Sequence, residues 1–190
     1  MKLQFKHQQF QEEAAQCVVK AFAGQPYSNN AKYIMDMGTR ANEALLEQVG
    51  FGNTLLALRR NDIAANISPL QTDQKIKTIS ELEGEGVQLT IEMETGTGKT
   101  YTYIKTMYEL NKHYGWSKFI IVVPSIAIRE GVHKSFEIMS DHFFNEYQKR
   151  IQYFIYNSKQ LSKIQAFADD DKLHAMIINT QAFNTSFNEK

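Results

Sequence analysis

The sequence predicts an α/β fold in which a doubly wound parallel sheet carries helices on both faces. Three observations lead there. Strand-like and helix-like segments alternate through residues 86–190, the strand-like runs are short and rich in β-branched residues, and a glycine-rich loop joins one strand pattern to one helix pattern.

The chain starts with Met1-Lys2-Leu3-Gln4-Phe5-Lys6-His7, which lacks the apolar core of an export signal. Phe10, Ala14, Cys17, Val18, Ala21 and Phe22 then recur at the steps of an amphipathic helix over 10–22. Gly24-Gln25-Pro26 is its stop signal. Residues 27–85 are less regular. They suggest a loop at 27–30, a short helix over 42–49 closed by Gly50, an apolar run at 55–58 that fits either state, a surface loop over 66–73 around Pro69, and a helical turn over 78–82. A connection this long needs structure or function of its own, and it reads as an insertion on the domain rim. The expected organisation is therefore an N-terminal helix within 1–26, an insertion over 27–85 and the sheet-bearing domain over 86–190.

From Val87 the pattern sharpens. Val87, Leu89, Ile91 and Met93 alternate with Gln88, Thr90 and Glu92, which predicts a strand with one face in the core; Glu92 conflicts locally with a central parallel position. Ile104, Met107, Tyr108 and Leu110 predict a helix over 99–113. The run Phe119-Ile120-Ile121-Val122-Val123, stopped by Pro124, predicts a strand buried between two helical layers. A helix over 126–139, continuing in broken form through 141–149, leads to a strand at 153–156. A third helix over 158–168 runs into Asp169-Asp170-Asp171, and a last strand over 175–178 into Asn179-Thr180-Gln181.

Lys and Arg together number 21, as do Asp and Glu, so no global field points to a polyanionic partner. Local positive charge in a cleft would still suffice for DNA. The single cysteine, Cys17, forbids an internal disulfide and a Cys-based zinc cluster, and fits a small buried hydrophobe in a reducing cytoplasm. No run reaches membrane-spanning length.

The chemistry concentrates at Glu94-Thr95-Gly96-Thr97-Gly98-Lys99-Thr100. Gly96 and Gly98 let successive N–H groups turn inward around an anion. Lys99 reaches terminal phosphates, and the Thr100 hydroxyl can ligate Mg²⁺. A glycine-rich hairpin or a helix start without a ligand is the plain alternative. Met93 occupies the position where the full phosphate-loop pattern has glycine, which points away from small GTPases and kinases. Gln11 sits near a helix start after the aromatic Phe10. Its carboxamide can donate to and accept from an adenine edge while the ring packs beside the base; alone, it is equally a surface glutamine.

In a doubly wound sheet, ligands gather outside the carboxyl ends of the strands. The loops Pro124-Ser125-Ile126-Ala127-Ile128-Arg129-Glu130 and Asn179-Thr180-Gln181 offer hydroxyls and amides there for phosphodiester oxygens, which would place a nucleic-acid track beside the nucleotide. The plain reading makes Ser125 a helix cap and Arg129 a solvated face residue.

With the pattern around Phe10-Gln11, the loop at 94–100 and the stretch Val122-Val123-Pro124-Ser125-Ile126-Ala127-Ile128-Arg129-Glu130-Gly131-Val132 in hand, the chain resembles the restriction (Res) subunit of type III restriction–modification enzymes, which are superfamily 2 helicase-like proteins. The resemblance implies a RecA-like phosphate-loop domain that binds ATP with Mg²⁺. It makes Gln11 the adenine-reading residue, Thr95, Gly96, Thr97, Gly98, Lys99 and Thr100 motif I, Ser125 part of a DNA-contacting motif Ia, and Thr180 a further strand-contacting position. It also implies double-stranded DNA as substrate and a modification methyltransferase subunit as partner.

No apolar run ending in the Asp-Glu pair that would complete the Mg²⁺ site occurs between Thr100 and Lys190, and Asp169-Asp170-Asp171 follows a helix pattern rather than a strand. The expectation is an N-terminal portion of a longer restriction motor, binding nucleotide weakly and not turning it over alone. A type I restriction motor and a non-motor nucleotide-binding module are the other readings.

Overall fold

In a computed structural model, residues 5–29, 31–34 and 49–188 are described. They group into two compact units, one of Met1–Tyr27 with Leu55–Tyr114, the other of Ser28–Thr54 with Gly115–Lys190.

The first unit is helical. Helix α1 (Gln9–Ala21) packs on α3 (Lys99–Tyr114) and on α2 (Arg60–Asp73). Small residues allow the close approach, since Ala15 is 0% and Ala21 3% exposed. From α3, Tyr101, Ile104, Met107 and Tyr108 are buried, and the Tyr114 hydroxyl donates to the Val19 carbonyl at 2.7 Å. The last turn of α1 closes with Phe22 N–H on Val19 O and Ala23 N–H on Lys20 O, each at 3.0 Å. Asn66 donates to the carbonyls of Ala21 (3.2 Å) and Ala23 (2.9 Å). Gly24, at φ +94°, turns the chain. The Gln25 carboxamide then donates to Leu55 O at 3.2 Å and accepts from Ala57 N–H at 2.8 Å, which ties 55–57 down without regular structure.

Helix α2 overturns the expected surface loop over 66–73. Pro69 lies inside it, and burial outweighs the missing hydrogen bond: Ile63 (0%), Ala64 (2%) and Ile67 (8%) face the core, with Ile63 and Ile67 packed on Ala21, Phe22 and Leu58. At its start the Asp62 carboxylate accepts from Arg59 N–H at 3.0 Å. The helical turn expected over 78–82 is irregular chain instead, tied at Leu82 by an Arg60 hydrogen bond. The helix expected over 42–49 falls almost wholly outside the described residues.

The strand expected over 87–93 is not formed. Leu89 (37%) and Ile91 (46%) are exposed, and only Val87 joins the core of Ala21, Ile63 and Ile67. A strand is stabilised by a ladder to a neighbour, and among the described residues none pairs with this segment.

The second unit holds a parallel sheet of three strands, β3 (Lys118–Val123), β4 (Gln152–Ile155) and β5 (His174–Asn179), in the order β3-β5-β4. Lys118 and Gln152 both register with His174. An antiparallel pair, β1 (Ala31–Ile34) with β2 (Val49–Gly52), precedes it. Asn53 follows β2 and accepts from the N–H groups of Ser117 (2.8 Å) and Lys118 (2.9 Å) while donating to Lys118 O (2.8 Å), fixing the start of β3. Burial on both faces, expected for 119–123, belongs to β5, all six of whose residues are buried. In β3, Ile120 is 48% and Val122 44% exposed, alternate residues that share one face of the strand. Helix α4 (Ile126–Tyr147) is continuous where a break was expected, ending at Gln148 in the left-handed region. Its Phe136 stacks on Tyr153 at 4.9 Å and its Phe143 is 1% exposed. Helices α5 (Leu161–Asp169) and α6 (Thr180–Asn188) flank β5 in sequence. No helix among the described residues is long and apolar enough to cross a membrane.

Two tests follow from these cores. Pro69→Ala restores an N–H to the interior of α2 and is expected to raise stability by about 1–3 kcal/mol in denaturant unfolding. The other concerns His174, 2% exposed, whose Nε2 meets the Asp170 carboxylate; Asp170 also accepts from Lys172 N–H at 2.9 Å and pairs with Lys118 at 3.6 Å. Burial, the largest influence, lowers the His174 pKa below its ordinary 6.5 against the pull of Asp170. Burial also raises Asp170, but the hydrogen bonds from Lys172 and His174 prevail and leave it below 3.8. Both folded-state values are depressed, so both contributions are complete above the unfolded-state pKa and are lost as pH falls, His174 first. His174→Gln is expected to flatten the fall of the urea midpoint between about pH 7 and pH 5.

Candidate nucleotide and nucleic-acid sites

In the first unit, the loop at 94–98 leads into α3, whose first turn carries no acidic residue. Gly96 (φ +83°) and Gly98 (φ +86°) hold left-handed backbone, as inward-turned amides require. A Cβ on Gly96 would meet open space. On Gly98 it would lie 2.4 Å from Gln11 Nε2. Two side chains of the loop fold back on it: Lys99 Nζ donates to Glu94 O at 2.8 Å and Thr97 Oγ1 to the same carbonyl at 2.6 Å.

Gln11, 86 residues earlier, donates from Nε2 to Thr97 O at 2.8 Å and is 9% exposed. In the sequence Gln11 has a meaning only together with the loop; the fold brings the two into contact. Phe10 is 45% exposed beside them. Thr95 and Gly96 lie on the exposed side of the loop, and Thr100 is half-buried in the first turn of α3. The loop thus sets exposed glycine backbone, a lysine ammonium and an adjacent carboxamide side by side. For a metal, Thr100 brings one hydroxyl, and among the described residues no cluster of three His, Cys, Asp or Glu could hold an ion; phosphate oxygens and water would have to supply the rest.

Two participants near the loop were missed. The Glu94 carbonyl leaves no mark in the sequence, being main chain. Lys105 does leave one. It falls at helical spacing in the apolar stripe Tyr101, Ile104, Tyr108 and is 1% exposed, paired at 2.9 Å with Glu12, the neighbour of Gln11. Gln16 donates to Glu12 at 3.1 Å and to Glu109 at 3.2 Å, one turn further along each helix. Burial raises the Glu12 pKa, but the hydrogen bonds from Lys105, Gln16 and His7 outweigh it and leave the carboxyl below its ordinary 4.5. Cys17, on the same helix, is half-buried, and burial raises its thiol pKa.

The second unit brings its own predicted residues together at the carboxyl ends of β3 and β5. Ser125 caps α4, its Oγ accepting from Ile128 N–H at 3.3 Å. Arg129 donates to Glu130 at 2.8 Å and to Asn179 Oδ1 at 3.5 Å. The Thr180 hydroxyl donates to Pro124 O at 3.4 Å. The cap and the Glu130 pair give Ser125 and Arg129 structural work of their own.

Residues 4–190 match the family model described as Type III restriction enzyme, res subunit. Among curated proteins the chain is similar to the Res subunit of the type III restriction-modification enzyme EcoPI of Escherichia phage P1, 37% identical over 99 residues, covering 46% of this chain and 10% of that protein. It is similar to the EcoP15I Res subunit of Escherichia coli, 42% identical over 72 residues, covering 37% of the chain and 7% of the relative. With the StyLTI Res subunit of Salmonella typhimurium it shares 51% identity over 53 residues, 28% of the chain and 5% of the relative. The matched stretches thus span a tenth or less of those relatives. With its α/β architecture, its parallel sheet flanked by helices and a family match over nearly its whole length, the chain belongs to the family of type III restriction enzyme Res subunits, with the RecA-like fold of helicase-like motors.

Proposed function

We propose that this chain is the ATP-binding part of the helicase-like motor of a type III restriction enzyme, with residues 86–190 as its partial RecA-like domain and the helix within 1–26 as its base-reading element. The observation that carries the reading is the contact between Gln11 and the loop at Thr97, which joins a carboxamide to a lysine-bearing glycine loop at the start of a helix.

In this reading the triphosphate takes the N–H groups opened by Gly96 and Gly98, and the first turn of α3 supplies the positive end of the helix dipole. Lys99 leaves the Glu94 carbonyl for the phosphates. Thr97 and Thr95 line the loop, and Thr100 gives Mg²⁺ its protein ligand. When bound, ATP with Mg²⁺ supplies the hydrolysis that drives the whole enzyme along double-stranded DNA toward cleavage, together with a modification methyltransferase subunit, in the cytoplasm. That chemistry requires acidic residues to join Thr100 at the Mg²⁺. Ser125, Arg129 and Thr180 are proposed to meet the DNA backbone, Thr180 most directly because its side chain is exposed and only loosely held.

Lys99→Ala is expected to abolish binding of ATP with Mg²⁺ in an equilibrium titration; unchanged affinity would sink the phosphate-loop reading. Gly98→Ala forces a Cβ into left-handed backbone and against Gln11. It should weaken ATP binding at least tenfold, on the order of 1.4 kcal/mol, and weaken it by a smaller factor when introduced into the Gln11→Ala variant than into the wild type.

A further inference from the structure

We infer that the Glu12–Lys105 ion pair is a positioning device for base selectivity, fixing the register of α1 on α3 so that Gln11 is presented to the loop. The inference rests on the reading of Gln11 and the loop as a nucleotide site.

Lys105 stands six residues after Lys99 on α3, about 9 Å along a rigid helix from the loop. Its ammonium reaches Glu12 Oε2 at 2.9 Å, and Glu12 is adjacent in sequence to Gln11. Gln11 in turn closes the circuit by donating to Thr97 O at 2.8 Å. The path runs from the loop down α3, across the ion pair, along α1 and back to the loop. Ala15 of α1 and Ile104 and Tyr108 of α3 are buried, and apolar burial by itself is non-directional. The ion pair, with its Lys105 side chain buried and its Glu12 side chain 30% exposed, is directional.

The bridge made by Gln16 between Glu12 and Glu109 repeats the constraint one turn on, where His113 also pairs with Glu109 at 3.4 Å. On the outer side His7 lies 3.3 Å from Glu12. A purely stabilising role explains this poorly. Apolar residues of like volume in place of a buried ion pair commonly leave stability unchanged or improved, whereas fixing register is the best-attested use of such a pair.

The test uses the double substitution Glu12→Leu with Lys105→Met, which removes both charges and keeps the volume, and Glu12→Asp, which keeps the charge but draws it back by one methylene. Fluorescent ATP and GTP analogues with Mg²⁺ are titrated into the wild-type chain, both variants and Lys99→Ala, with thermal melting as the check on folding. The double variant is expected to melt near the wild type and to lose about tenfold of its preference for ATP over GTP, the scale of one positioned hydrogen bond. Glu12→Asp should show a smaller loss. An unchanged ATP:GTP ratio in a folded double variant, with binding still dependent on Lys99, overturns the inference alone. Should the double variant fail to melt cooperatively, an unchanged ratio in Glu12→Asp overturns it and a reduced ratio supports it. If the wild type and Lys99→Ala bind alike, the nucleotide reading fails, and this inference with it.

Discussion

An ammonium group shut away from water must be answered by charge or hydrogen bonds, and Lys105 sets that condition at the centre of the first unit. Glu12 answers it, and much of the unit is arranged so that it can. Helix α1 must lie close to α3, which Ala15 permits by having almost no side chain to separate them. The far end of the same contact is secured by Tyr114 on the Val19 carbonyl. Beyond that point Asn66 of α2 supplies a donor to the Ala21 and Ala23 carbonyls. Helix α2 is thus tied to α1, and it brings Ile63 and Ile67 to the core with it.

The second unit solves a different problem. Its central strand β5 is buried along its whole length, yet begins with a histidine and ends with an asparagine. Apolar residues between them, Ala175 to Ile178, supply the burial. The polar ends are placed where partners exist: His174 against Asp170 at one end, Asn179 against Arg129 at the other. Each end of the strand therefore carries chemistry, and only the second was visible as a candidate site.

What could be read in advance follows from how local each signal is. Helices α1 and α3 and strands β3, β4 and β5 are written in periodicity, and the glycine loop in residue types at fixed spacing. Helix α2 was hidden because Pro69 argues locally against a helix, while the burial of Ile63 and Ile67 that overrides it is a long-range fact. The segment 87–93 went the other way. Its alternation is a strand pattern, but a pattern does not provide the neighbouring ladder. In β3, apolar residues on both faces suggested burial on both, which only the strand order could assign to β5. At the site, Gln11 was meaningful only beside the loop, and the sequence could not say that the two touch. Lys105 carried a sign of its own, a charge inside an apolar stripe, which on composition alone is indistinguishable from a solvated face.

The hydrogen bonds within the loop bear on how it would exchange its partners. Lys99 and Gln11, the two side chains proposed to handle nucleotide, are both held by main-chain carbonyls of the loop, at Glu94 and Thr97. A carbonyl is a neutral acceptor and a phosphate oxygen a charged one, so an ammonium gains by leaving the first for the second. Lys99 is therefore kept near its work without being trapped in it. The bond from Gln11 differs, because a carboxamide has a second donor hydrogen and an acceptor oxygen to spare for a base edge. On the proposed reading Lys99 must let go of the loop to act, whereas Gln11 can act while still holding it. Any shift of the loop around the phosphates would then be felt at the base, and any misplacement of α1 would be felt at the phosphates.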